Sequence, residues 1–70
     1  MTAEAILNGR DIVAARARDS INQEELAKEA GVFSATLTDL ENGRIELTQA
    51  DYQRLLDLIA RIVARRAERS

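Results

Sequence analysis

The stretch Ile21-Asn22-Gln23-Glu24-Glu25-Leu26-Ala27-Lys28-Glu29-Ala30-Gly31-Val32 contains one whole helix with its start and its stop. Asn22 is placed as an N-cap, and Glu25 three residues on makes an Asn version of the capping box. Ile21 before the cap and Leu26 at the fourth helical position form a hydrophobic staple. These signals predict a helix over residues 23–30. Gly31 ends it, because glycine takes the left-handed conformation without steric cost. Ala27 is small, as a close helix crossing requires.

Downstream, Leu37-Thr38-Asp39-Leu40-Glu41-Asn42-Gly43-Arg44 predicts a further helix over about 34–41. Leu37 and Leu40 face inward, and Asn42-Gly43 terminates it. The connection between these two helices is three or four residues long and begins with glycine. That is the spacing of a helix-turn-helix. Leu26, Val32, Leu37 and Leu40 form a core that sets the crossing angle. The second helix of the pair is then free to protrude into a DNA major groove, about 12 Å wide.

Arg44 to Leu47 reads as a loop. Thr48 caps a long helix over about 49–68, with Asp51 in its first turn and Leu47/Tyr52 as a second staple. Tyr52, Leu55, Leu56, Leu58, Ile59, Ile62 and Val63 follow a helical period. Their stripe covers roughly 160° of the helix, wider than one small core needs. Leu58, Ile62 and Val63 are therefore expected at an interface with a second copy of the chain. Upstream, Thr2 is expected to cap a short turn through Leu7. Asn8 is expected to cap a helix running to about Arg18 that buries Ile12, Ala15 and part of Arg16.

Seventy residues allow a single domain with a small core, here read as residues 1–70 with the motif over about 22–42. There is no cysteine and no histidine, so disulfides and Cys/His zinc sites are excluded. Dimerisation is the remaining common source of stability. There is no proline, and good helix formers dominate. The fold class expected is all-α, with four to five helices and a long last one. The N-terminus lacks the pattern of a signal peptide, and no apolar run is long enough to span a membrane. Net charge is −2, distributed unevenly. Residues 1–57 carry six basic and eleven acidic side chains, whereas Arg61, Arg65, Arg66 and Arg69 stand against Glu68 alone thereafter. A DNA-binding face must then be local and built from few arginines. No nucleophile-base pair or phosphate-cradling glycine loop is present, so neither enzyme activity nor a cofactor or metal is expected.

Taken together, Arg16, Gln23, Leu26, Ala27, Gly31, Leu37, Leu40, Glu41 and Gly43 closely resemble the Cro/CI-type (XRE) helix-turn-helix family, to which the lambdoid phage repressors belong. The resemblance covers residues 10–60 or so. It implies a lambda-repressor-like fold and a transcriptional regulator, in the repressor mould, that binds a near-palindromic operator as a homodimer. Double-stranded DNA is the implied partner, and a cytoplasmic, nucleoid-associated location follows. Gln23 would contact the DNA backbone and buttress the recognition helix. Ser34, Ala35 and Asp39, with Thr38 alongside, would face the bases. Asn42 and Arg44 would touch phosphates. Arg16 and Glu41 would form a buried structural ion pair.

The chain departs from the family pattern at Phe33, where Ser or Thr is usual. Phenylalanine cannot cap, so either Ser34 shifts the helix start by one residue or the helix end is left frayed until it binds. The base-facing side chains are short, and Asp39 is acidic, so DNA shape is expected to supply part of the specificity. The Arg61/Arg65/Arg66/Arg69 run admits three readings: a solvated helix end favoured by the dipole, DNA backbone contact, or docking of an acidic protein partner. The last belongs to a rival class, an antitoxin or co-regulator. A second rival is an interaction module that has lost DNA binding.

Overall fold

The computed structural model describes residues 8–69, which form four α-helices. Their order is α1 (Gly9–Arg18), α2 (Gln23–Ala30), α3 (Ser34–Glu41) and α4 (Gln49–Arg69). The turn expected between Thr2 and Leu7 lies outside the described residues. No helix among them is long and apolar enough to cross a membrane.

Local signals place the helix ends. The Asn8 side chain accepts from Arg10 N–H at 2.9 Å, and Asn22 Oδ1 accepts from Glu25 N–H at 2.7 Å. Thr48 Oγ1 accepts from Asp51 N–H at 3.0 Å, so three of the four first turns carry a side-chain cap. Gly31 adopts φ +73°, and Val32 N–H reaches back to Ala27 C=O at 3.0 Å. A side chain at that φ is strained, which is why glycine ends α2.

The core sits where all four helices meet. Ile12 from α1, Leu26 from α2 and Leu37 from α3 are its most completely buried large side chains. The staple residue Ile21 joins them, and α4 contributes Leu55, Leu58, Ile59 and Ile62. Leu58 and Ile62 are not surface residues awaiting a second subunit: they are 7% and 3% exposed within a single chain. α4 packs against α1 and α2 together, so two neighbours cover a stripe too wide for one. Of the three residues expected at an interface, only Val63 remains outward, at 37% exposed.

Three arginines tie α4 in place. Arg54 donates to Ala30 C=O at 2.9 Å, satisfying a carbonyl at the end of α2. Arg65 pairs with Glu29 at 2.6 Å. Arg66 pairs with Glu25 at 2.7 Å and donates to Asp19 C=O at 2.8 Å. Half of the C-terminal arginine run is thus engaged within the chain.

Gly9 is buried with its backbone close against the end of α3. A methyl group there would overlap Leu40 O and the Glu41 backbone, neither of which can swing aside. Gly9→Ala is therefore expected to destabilise the domain by about 1–3 kcal/mol, the usual effect of overpacking. Thermal denaturation followed by circular dichroism would show this as a Tm lower by at least about 4 °C.

Candidate nucleic-acid interface

The C-terminal end of α3 is fixed by one buried carboxylate. Glu41 is 6% exposed. Its Oε2 accepts from Arg16 Nε at 2.8 Å, and its Oε1 accepts from Arg16 Nη2 at 3.0 Å. This is the bidentate geometry that makes arginine-carboxylate pairs strong and directional. Gln23 Nε2 donates to the same Oε1 at 3.0 Å, and Arg16 Nη1 donates to Ile21 C=O at 3.1 Å. One carboxylate therefore links α1, the first turn of α2 and the end of α3. No buried side-chain nitrogen or oxygen among the described residues lacks a partner.

With Leu37 and Glu41 facing inward, the opposite side of α3 is left to solvent. Ala35, Thr38, Asp39 and Asn42 fall within a sector of about 100° on the helical wheel. Ala35 and Asn42 are exposed, while Ser34, Thr38 and Asp39 are half-buried. Thr38 Oγ1 donates to Ser34 C=O at 3.0 Å, so its hydroxyl proton is used within the helix. Arg44 Nη1 lies 3.8 Å from Asp39 Oδ1, with the arginine largely exposed. A cation thus accompanies the one carboxylate of this face, a relation not evident in the sequence.

Gln23 sits at the start of α2 with its side chain turned to Glu41, in the buttressing position. An amide has two N–H donors, and one of them suffices for that bond. Phe33 stays at the N-cap of α3 in an extended conformation, with no side-chain cap bond. The helix start does not shift: α3 begins at Ser34. Sequence reasoning also missed the role of Gly9, whose backbone packs directly on that of Leu40 and Glu41 at the end of α3. No group of acidic side chains among the described residues is arranged to hold a metal ion.

The hub predicts an ordered mutational series. Removing one partner of a buried pair leaves an uncompensated charge, so Arg16→Ala and Glu41→Ala should each cost about 3–5 kcal/mol. A domain of this size holds roughly 4–10 kcal/mol in total, so both variants should be largely unfolded at 37 °C. Gln23→Ala leaves the ion pair intact and should cost about 1 kcal/mol. Urea denaturation of the three variants checks the ranking.

A family model described as a helix-turn-helix domain matches residues 7–69. No curated protein and no solved structure matches the chain. The match spans all four helices, among them α2 and α3 with the short turn from Gly31 to Phe33 between them. The chain belongs to the helix-turn-helix domain family, and with that to a class of DNA-binding regulators.

Proposed function

We propose that this protein is a Cro/CI-type transcriptional regulator, acting as a repressor without catalytic activity. It binds a near-palindromic operator as a homodimer and blocks a promoter by occupying it. The observation that carries this reading is the two-sided character of α3. Its inner side is locked by Leu37 and Glu41, and its outer side presents Ala35, Thr38, Asp39 and Asn42 on a helix fixed in direction. A rigid, protruding helix of this kind is what entry into a major groove needs.

In this reading Ala35, Thr38 and Asp39, with Ser34 at the helix start, face base edges. Gln23, Asn42 and Arg44 hold phosphates, and the first-turn N–H groups of α2 add to the Gln23 contact. Asp39 suits a cytosine N4 donor, with Arg44 moderating its charge toward the backbone. Few cations serve the face, so binding weakens with salt along a shallow slope.

The homodimer must use a surface other than Leu58 and Ile62. Leu56, Ala60, Val63 and Ala67 recur at four- and three-residue steps along the outer side of α4. Leu56, Ala60 and Val63 line a groove against Ala15 of α1. That spacing suits a second α4 lying alongside.

Selection of bound sequences from random duplex DNA is the primary test. The expected product is a symmetric site whose half-sites are about 34 Å, one helical turn, apart. Recovery of no enriched sequence would remove the proposal. Arg44→Ala should lower affinity and reduce the salt slope by about one, with Tm unchanged. Val63→Glu should leave the fold intact and convert the dimer to a monomer in sedimentation velocity runs. A wild-type chain that sediments as a monomer at tens of micromolar would contradict the dimer.

A further inference from the structure

Phe33 is 82% exposed, about twice the exposure of Ile45, the next of the exposed large hydrophobics among the described residues. It occupies the N-cap of α3, where a short polar side chain would accept a first-turn N–H. It provides no such bond. Its backbone is ordinary for the position, with φ −74° and ψ 149°, and its carbonyl accepts from Leu37 N–H at 3.1 Å. The ring thus neither caps the helix nor enters the core. A domain with so small a core forgoes both contributions at the same residue.

The position of that ring on the proposed DNA-facing helix gives it a use. In helix-turn-helix docking the N-terminal residues of the second helix approach the base edges most closely. The side chains proposed to face the bases, Ser34, Ala35, Thr38 and Asp39, are all short, whereas the exposed ring at the start of α3 is long. A phenyl ring has no donor or acceptor to offer. The apolar feature that the major groove displays is the 5-methyl group of a pyrimidine. We propose that Phe33 is a specificity residue that packs against a pyrimidine 5-methyl group, that of thymine, in each half-site. This inference rests on the DNA-binding reading above. 5-Methylcytosine carries the same group, so the experiment separates the two sources.

The test uses the full chain and the duplex recovered by selection. Each thymine is replaced in turn by deoxyuridine, which lacks only the methyl group, and each cytosine in turn by 5-methylcytosine. Affinity is measured by fluorescence anisotropy for wild type, Phe33→Ala and Phe33→Ser. One symmetric thymine position is expected to weaken wild-type binding about fourfold when its methyl is removed, the worth of one buried carbon. The same replacement should leave Phe33→Ala unaffected, and Phe33→Ala should bind the parent site at least about tenfold more weakly than wild type. Phe33→Ser restores a capping side chain. It should raise Tm by about 4–8 °C while binding as weakly as Phe33→Ala, which separates recognition from folding.

A methyl effect confined to 5-methylcytosine and abolished by Phe33→Ala would retain the methyl contact and overturn thymine as its source. Deoxyuridine effects of equal size in wild type and Phe33→Ala, or none in either, would overturn the proposal even with DNA binding intact. Failure to select any duplex would overturn the DNA-binding reading and this inference with it.

Discussion

The Glu41 carboxylate is the joint of this molecule. Three N–H groups from two side chains converge on its two oxygens, and those side chains belong to α1 and α2. Burying a carboxylate is unfavourable unless its charge is matched and its lone pairs are filled. Here Arg16 matches the charge with both oxygens engaged, and Gln23 fills a remaining site. Such an arrangement tolerates little displacement, because each bond depends on direction as well as distance. The end of α3 therefore cannot rotate without breaking contacts to two other helices. Gly9 reinforces this from the other side, since the backbone of α1 lies directly against that of Leu40 and Glu41.

The functional surface follows from that joint. A helix of eight residues is marginal alone and owes its persistence to tertiary packing. α3 has Leu37 beneath it and Glu41 clamped at its end, while its start carries no side-chain cap. Side-chain hydrogen bonds thus anchor the C-terminal end of α3, and none caps its start at Phe33. α4 supports the arrangement from below. Its apolar stripe is taken up by α1 and α2, and Arg54, Arg65 and Arg66 bind carbonyls and carboxylates of α2 and the α1–α2 turn. A seventy-residue chain without cysteine gains its core by wrapping one long helix across two short ones.

Much of this was legible in the sequence where the physics is local. Asn22 and Gly31 bound α2, and Asn42-Gly43 ends α3, because capping and left-handed conformations depend on a few neighbouring atoms. The pairing of Arg16 with Glu41 was suggested by the family pattern, and the geometry supplies its bidentate form and its third donor. Tertiary proximity was not legible. A helical period reveals which side of α4 is apolar but not how many partners cover it, so Leu58 and Ile62 read as interface residues. Gly9 reads only as the residue after the Asn8 cap until α3 is laid against it. Arg54 draws no reading from the sequence and the run containing Arg66 admits three, because their acceptors lie 24 residues or more away in the chain. Asp39 reads as a lone acid on a DNA-facing surface, and its neighbour Arg44 becomes apparent only once the turn after α3 is drawn.

The central claim is that α3, held from behind by Glu41, presents its outer face to DNA. Titration of the isotope-labelled protein with its selected duplex, followed by amide chemical shifts, tests it most directly. The account predicts that the largest changes fall on residues 33–44 and the first turn of α2, with α4 beyond Ile62 little affected beyond its own dimer contacts. Changes centred on the arginine-rich end of α4, with the outer face of α3 silent, would contradict it.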